Sequence, residues 1–437
     1  MDELCSDQMN NWLTSAAALL TPRRIRAHAL ILAICLWGVC LADYAKPGLF
    51  DRGGNIKFQD FLQFPISAQL IAQGRAIDLY SDQVLAQAVH TISGSTRVEL
   101  RYFYGPQVAL PFSTLERFSF LTQAEIWVAL SLLIYFACGY FVFSSCTTLA
   151  GKTQLVALCA IAYPPLFHFF VRGQLSVVAL FFITAAYLAL PVRREWLSGI
   201  ALGFLIFKPQ FLVAIPFILL FAQAWRMFAG LVISAIAQLT FTYLYFGREV
   251  MRAYFAMLLH SAGQPRSTEL VFSATQMHSF YSFWELLIRW RPASNILYLL
   301  SSIAVIALAT SIWKSSSPLA IRFSAMLLAA VLVNPHIYIY DLLALAPMFL
   351  LLSDWSIKNA HHPETPILHV LLYLAFLLPL FGPLARWTHL QLSVPVFGAL
   401  VWTLFRISTR DQTLVSVEDD SARRAECKML SPIEGQN

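Results

Sequence analysis

Residues 23–45 read RRIRAHALILAICLWGVCLADYA, a short basic cluster followed by an apolar run. The run extends from about Ala27 to Ala45, close to the ~20 residues that an α-helix needs to cross the ~30 Å hydrocarbon core of a bilayer. It has no obvious small-residue cleavage site, so we expect an uncleaved membrane span rather than a signal peptide.

The rest of the chain repeats this pattern. Of 437 residues, 58% are hydrophobic and 12% are charged, whereas an average soluble domain carries roughly 25% charged residues. The sequence therefore predicts an all-α, polytopic transmembrane protein with about 12 spans. The segment 197–207 is short for a span and predicts a broken or re-entrant pair with its successor around Lys208-Pro209. The apolar segments centre on residues 27–44, 121–145, 154–170, 174–191, 197–207, 209–224, 227–246, 294–313, 319–334, 338–353, 366–383 and 388–405.

The short basic connections fall on one side if every segment crosses the membrane, and that side is the cytoplasm. The prediction is a cytoplasmic N-terminal segment (1–26), a transmembrane domain (27–406) and a cytoplasmic tail (407–437) polar enough to be disordered. Long loops of about 45–120 and 247–293 then lie outside. The second loop carries several arginines against the charge rule, and arginines so placed favour an anionic partner.

Two classes of function are disfavoured by composition. None of the seven cysteines falls in the long loops, so neither a disulfide framework nor a zinc cluster is expected. The net charge of +6 is scattered among loops and forms no dense basic face, so no nucleic-acid partner is expected.

Polar residues gather at the outer ends of the predicted spans. A charge at the centre of a membrane helix costs ~2.5–3.5 kcal/mol on insertion scales, so such positions are informative. Because six clusters share one side, we infer a single cavity that opens to the outside. The clusters are Asp60, Arg101–Pro106, Phe170–Ser176, Phe207–Gln210, Ser273–Phe280 and Asn334–Asp341.

Asp60 begins an amphipathic stretch over residues 58–73. If this stretch is helical, its apolar residues form one stripe and Asp60 lies nearly opposite. We therefore predict an interfacial helix in the first outer loop that aims Asp60 at the cavity. The alternative is that Asp60 is a helix cap or a solvated loop residue. The stripe consists of Phe58, Phe61, Leu62, Pro65 and Ile66.

The other polar candidates each have a structural alternative. Lys208 either snorkels at a span end or faces a phosphate. Arg172 and Gln174 lie in a short outer turn that could be only a polar hairpin. His336 and Asp341 could be a polar pair between helices.

Two further candidates stand on weaker patterns. His278 taken alone is typical of an interfacial histidine. Tyr104 lies in an aromatic run, which is more typical of a membrane-interface belt than of sugar stacking.

These stretches together resemble the GT-C fold of lipid-linked sugar transferases, and within it glycosyltransferase family 87. The type members of that family are polyprenol-phosphate-mannose-dependent α-1,2-mannosyltransferases. The resemblance extends in order over about 58–350, with Tyr104-Gly105-Pro106 in place of the usual double proline and Thr275-Gln276-Met277 where Asn-Gln-Ser is expected. It rests on DFLQFPISAQLIAQGRAIDLY (60–80), FYGPQVALPF (103–112), RGQLSVVALFFITAAYLAL (172–190), GFLIFKPQFLVAIPFILL (203–220) and NPHIYIYDLLALAP (334–347).

The resemblance implies an inverting transfer of a hexose, with mannose favoured, from a polyprenyl-phosphate donor to a hydroxyl of a glycolipid or glycan. The active site would face the outside of the plasma membrane, in contact with membrane lipid. Asp60 matches the position of the general base.

The resemblance also implies cations beside the leaving phosphate, and here Lys208, His336 and Arg172 are candidates in that order. Gln174 and Gln276 would bind sugar or phosphate oxygens. We place His278, Tyr104 and Asp341 in the same substrate site.

No Asp-x-Asp motif and no metal-ligand spacing stand out, so no cofactor is expected. A metal between Asp60 and a second carboxylate stays open.

Three other functions remain open from sequence. A transporter or flippase of lipid-linked sugars would share the cavity but calls for inverted repeats. A surface-polysaccharide polymerase or ligase would use the arginine-rich outer loop. A structural membrane protein leaves the one-sided polar clusters unexplained.

Overall fold

The computed structural model describes residues 12–94, 100–263 and 275–430. These ranges contain no β-strand, only the isolated bridges Phe50–Ile56 and Met277–Tyr338, which confirms the all-α prediction. The α-helices are α1 (12–19), α2 (Pro22–Tyr44), α3 (Gln63–Ala72), α4 (Asp82–Ser93), α5 (Phe120–Ser144), α6 (Thr153–Ile161), α7 (Pro164–Arg172), α8 (Ser176–Ala189), α9 (Glu195–Gly203), α10 (Ile215–Phe221), α11 (Trp225–Gly263, kinked at Gly247), α12 (Phe280–Leu287), α13 (Arg291–Lys314), α14 (Leu319–Val333), α15 (Ala346–Lys358), α16 (Thr365–Leu377), α17 (Ala385–Thr388) and α18 (Ser393–Leu430). The 3₁₀ helices are Gln59–Leu62, Ala76–Tyr80, Pro106–Leu115, Ala150–Lys152, Phe204–Phe207, Pro209–Leu212, Ile339–Leu345 and Leu378–Leu384.

Six helices of the described ranges are long and apolar enough to cross a membrane, and the bent pair α6–α7 would add a seventh. The protein is thus a multi-pass membrane protein, but the prediction of about 12 spans is not confirmed. Four predicted segments form shorter apolar helices of 10–17 residues. One of them, α14, is buried by protein along most of its length. Sequence hydropathy does not distinguish burial in protein from burial in lipid.

The last helix, α18, extends through Leu430 and so enters the tail 407–437, for which the sequence predicts disorder. Ala, Arg, Glu and Lys are frequent between residues 418 and 430, and all four favour helix. Residues 431–437 lie outside the described residues.

The chain breaks at Lys208-Pro209, as the sequence predicts. Lys208 lies between two 3₁₀ turns with φ −133° and ψ 73°. Pro209 removes one backbone donor and disfavours a helical conformation at the residue before it. The break leaves the side chain of Lys208 buried in the bundle rather than at a span end.

The stretch around Asp60 is buried in protein, not laid on an interface. Asp60 lies in the 3₁₀ turn Gln59–Leu62, before α3. The apolar stripe packs inward: Phe61 stacks at 6.5 Å on Trp127 and lies edge-on to Phe112 at 5.6 Å. Ser67, a polar residue of α3, is fully buried as well. The interfacial helix is therefore corrected to a helix held inside the fold, because Pro106–Leu115 covers the stripe that was expected to meet lipid.

Candidate active site

Asp60 is held by two residues of the turn after α7. Gln174 Nε2 donates to Asp60 Oδ2 at 2.7 Å, and Arg172 Nη1 lies 3.5 Å from Oδ1. The side chains of Asp60 and Arg172 are 21% and 40% exposed. The carboxylate therefore has one oxygen fixed by a buried amide. Among the described residues the other oxygen has only the long contact with the partly exposed guanidinium of Arg172, so a lone pair remains free to accept a proton.

The turn that carries Arg172 and Gln174 requires a glycine between them. Gly173 has φ +70°, and a Cβ there would lie 2.8 Å from Phe61 Cβ. Phe61 belongs to the same 3₁₀ turn as Asp60. Close approach of the two backbones thus sets the short amide–carboxylate contact, and any larger residue at 173 would push the turns apart.

Gln174 connects Asp60 to a buried tyrosine. Tyr104 Oη donates to Gln174 Oε1 at 3.0 Å, and Trp127 Nε1 donates to the carbonyl of Gln174 at 3.1 Å. Burial, followed by the charges of Asp341 and Asp60, raises the pKa of Tyr104 well above its usual value. The phenol therefore stays protonated, which fixes Oε1 as the acceptor and turns the NH₂ group of Gln174 toward Asp60.

A second carboxylate, Asp341, lies on the other side of Tyr104 and pairs with Lys208. The ammonium and the carboxylate are in direct contact and are 5% and 1% exposed. Ser176 Oγ donates to Asp341 at 2.6 Å, and the backbone N–H of Tyr338 donates at 3.4 Å. Lys208 Nζ lies 6.0 Å from the ring centroid of Tyr104. The charge of Lys208 is thus already balanced inside the protein.

Three predicted site residues, His278, His336 and Gln276, form no hydrogen bond with Asp60, Gln174, Tyr104, Lys208 or Asp341 in the described structure. His278 is buried, and its Nδ1 lies 2.7 Å from Ser393 Oγ; burial lowers its pKa to about 3. Burial also lowers the pKa of His336, so this ring is neutral rather than cationic near pH 7. Gln276 is half-buried, between two residues whose carbonyls accept from Gln391.

The antiparallel bridge Met277–Tyr338 connects the two segments that carry these residues. The backbone around Met277 therefore lies beside the turn that holds Asp341. The side chains of His278 and His336 nevertheless contact other residues, Ser393 and Tyr281.

Sequence reasoning missed some contributors to the group. Ser176 lies in the predicted polar cluster Phe170–Ser176, but its separation of 165 residues from Asp341 conceals the contact between them. Trp127 lies inside a predicted span and gave no signal. Tyr340, 5.4 Å from Lys208 Nζ, stacks on Tyr338.

The described ranges contain no group of three or more His, Cys, Asp or Glu side chains placed to hold a metal ion. Asp60 contacts an amide donor and a guanidinium, and such neighbours do not complete a cation site.

Comparison with protein families matches residues 102–335, more than half of the chain, to the model "Glycosyltransferase family 87". The matched range includes Tyr104, Arg172, Gln174 and Lys208, while Asp60 lies before it. No curated protein and no solved structure was found to match the chain.

Proposed function

Since this chain belongs to glycosyltransferase family 87 and is a membrane glycosyltransferase, we propose that it transfers a hexose from a polyprenyl phosphate to a hydroxyl of a glycolipid or glycan. We favour mannose and an inverting displacement. The observation that carries the proposal is the arrangement of a partly exposed carboxylate and guanidinium, Asp60 and Arg172, beside the buried, oriented amide of Gln174.

Asp60 is the proposed general base. The acceptor oxygen attacks the anomeric carbon while the bond from that carbon to the phosphate oxygen breaks. The acceptor proton passes to Asp60 Oδ1, and the bonding electrons leave with the polyprenyl phosphate. Gln174 occupies Oδ2 and so orients the carboxylate for this transfer. A positioned base contributes ~10²–10⁴-fold in rate.

Arg172 is the proposed cation for the leaving phosphate. It is more exposed than Lys208, and its contact with Asp60 is long. A guanidinium can bind two phosphate oxygens at once, and it stabilises charge that develops as the phosphate leaves. Lys208, ranked first from sequence, is placed second because Asp341 already neutralises it.

We further propose that this group faces the outside of the plasma membrane. The turn that holds Asp60 lies near the C-terminal end of α2 and the N-terminal end of α5, because Phe58 contacts Tyr44 and Phe61 contacts Phe120. The basic residues of 23–26 lie at the opposite end of α2. The bias of Lys and Arg toward the cytoplasm then assigns the Asp60 end to the exterior.

The test uses the purified protein in lipid nanodiscs with a membrane lipid extract as the source of acceptor. Polyprenyl-phosphate mannose and glucose, a polyprenyl-diphosphate glycan and nucleotide sugars are supplied separately, and release of polyprenyl phosphate or nucleotide is measured. NMR of the product gives the anomeric configuration. We expect turnover of a polyprenyl-monophosphate sugar that depends on the extract, with inversion.

Other outcomes would contradict the proposal in identifiable ways. Turnover of the diphosphate-linked glycan alone would indicate a polymerase or ligase. Absence of turnover with every donor, together with lipid-linked sugar crossing the bilayer of proteoliposomes, would indicate a transporter. A retained anomeric configuration would exclude the single displacement.

A further inference from the structure

A second polar pocket lies at the opposite end of the bundle from Asp60. Its volume is about 410 Å³, and it is formed where α8 meets α9, α10 meets α11 and α13 meets α14. The helix α8 connects the two ends: Ser176 contacts Asp341 at its start, and Leu190, just after its end, lines this pocket. A helix of this length separates the sites by ~20 Å.

The pocket carries excess positive charge. Three arginines line it, Arg193, Arg226 and Arg322, together with one carboxylate, Glu195. No ion pair involving these three arginines is found among the described residues. Three unneutralised guanidinium groups at one opening attract an anion, and guanidinium is the cation best suited to bind phosphate oxygens.

Arg322 carries a buried donor that no described residue accepts from. It projects from the apolar helix α14, is partly buried, and lies 5.9 Å from the ring centroid of Trp313. Its Nε atom is buried and has no hydrogen-bond partner in the described structure. A buried donor left unpaired is unfavourable, so an oxygen ligand at this position would stabilise the fold.

The surroundings of the pocket favour a lipid over a soluble anion. Apolar side chains share its wall, among them Leu190, Met227 and Leu319. Trp225, another lining residue, is 57% exposed, and nearby Trp196 is 44% exposed. Exposed tryptophans of membrane proteins concentrate at the depth of the lipid head groups.

We propose that this pocket binds the phosphate of an anionic glycerophospholipid from the adjacent leaflet. Arg322 binds the innermost phosphate oxygen, Arg193 and Arg226 close the opening, and the upper part of the acyl chains contacts the apolar wall. The bound lipid joins three helix–helix turns and stabilises their packing. Basic pockets between membrane helices bind anionic head groups in this way.

The test measures thermal unfolding of the full chain, delipidated in a neutral detergent, during titration with short-chain phosphatidylglycerol, phosphatidylcholine or inorganic phosphate. The variants are Arg322→Gln and Arg226→Gln, with Arg194→Gln as the matched control, since Arg194 is exposed beside Arg193 but does not line the pocket. Native mass spectrometry counts the lipids that each variant retains after purification.

We expect phosphatidylglycerol, but not phosphatidylcholine, to raise the unfolding temperature of the parent. Its half-saturating concentration should rise about tenfold in Arg322→Gln and about fivefold in Arg226→Gln, with no change in Arg194→Gln. If Arg322→Gln fails to fold, Arg226→Gln, which changes an arginine at the opening of the pocket, still tests the proposal.

The proposal would be overturned if phosphatidylcholine raised the unfolding temperature as much as phosphatidylglycerol does. It would also be overturned if Arg226→Gln kept the parental half-saturating concentration of phosphatidylglycerol. If Arg194→Gln weakens phosphatidylglycerol binding as much as the pocket variants do, non-specific surface charge would explain the binding and the proposal would be wrong. Equal protection by inorganic phosphate at the same concentration would replace the lipid with a soluble anion.

Discussion

The buried pair Lys208–Asp341 should show strong coupling in a double-variant cycle. In Asp341→Leu, the ammonium of Lys208, 5% exposed, loses its carboxylate, and removing one partner of a buried ion pair costs about 3–5 kcal/mol. Cation–π interactions with three aromatic rings, whose centroids lie 5.4–6.0 Å from Lys208 Nζ, compensate for only part of this loss.

The reverse variant should be milder. In Lys208→Met, Asp341 keeps its donors from Ser176 and the backbone of Tyr338, so we expect a loss of about 1–3 kcal/mol. The double variant Lys208→Met/Asp341→Leu buries neither charge and should lie within about 1 kcal/mol of the parent.

The assay is the free energy of unfolding by denaturant titration in mixed micelles, with intrinsic tryptophan fluorescence as the signal and donor turnover measured in parallel. A double variant as unstable as the two single variants added together would refute the coupling. A double variant that is stable but does not turn over the donor would indicate that the Lys208–Asp341 pair takes part in turnover and does not only stabilise the fold.

Three further predictions concern neighbouring residues. Gln174→Glu places a second carboxylate against Asp60, and the repulsion between the two disfavours the ionised form of Asp60. The acidic limb of the pH–turnover profile should therefore move to higher pH. An acidic limb that does not move would show that ionisation of Asp60 does not control turnover. Arg172→Gln should leave the unfolding temperature almost unchanged, because an exposed ion pair contributes about 0–1 kcal/mol, yet turnover should fall at least tenfold. The matched control is Arg75→Gln, which breaks the exposed ion pair with Asp78 and should keep parental turnover. Burial lowers the pKa of His278 from 6.5 to about 3, so its contribution to stability is complete above pH 6.5 and is lost as the pH falls toward 3. At pH 5 the loss is about 2 kcal/mol. Between pH 7.5 and pH 5 the unfolding temperature should therefore fall less in His278→Gln than in the parent.

Part of the candidate site could be predicted because apolar runs fix where the chain turns. Asp60, Tyr104 and the Arg172-Gly173-Gln174 turn were assigned to one side from the alternation of segments alone, and the structure joins them by hydrogen bonds. Polar groups at helix ends converge when the helices pack in a bundle, so their shared side carries real information about proximity.

Pairing across long separations could not be predicted. Lys208 and Asp341 are 133 residues apart, and His278 and Ser393 are 115 apart. Lys208, Asp341 and His278 were assigned to the substrate because the sequence does not reveal their protein partners. Burial of a polar side chain indicates a need for a partner but does not identify it.

The number of membrane spans and the burial of α3 in protein also could not be predicted from the sequence. Apolar composition is the same whether a helix faces lipid or lies inside the protein, as α14 does. The stripe that begins at Phe58 is typical of a membrane-facing surface, yet Phe112 of the 3₁₀ helix Pro106–Leu115 and Trp127 of α5 pack against its residue Phe61.

The central claim is that Asp60 accepts the acceptor proton. It is tested most directly by the transfer rate of Asp60→Asn at saturating polyprenyl-phosphate sugar, compared with Asp78→Asn. Asp78 lies in the same loop, is 29% exposed and also contacts an arginine, so it controls for loss of a carboxylate. We predict a loss of about 10²–10⁴-fold for Asp60→Asn and parental rate for Asp78→Asn, with both variants folded. A parental rate in Asp60→Asn would contradict the account and leave Asp60 as a structural partner of Gln174.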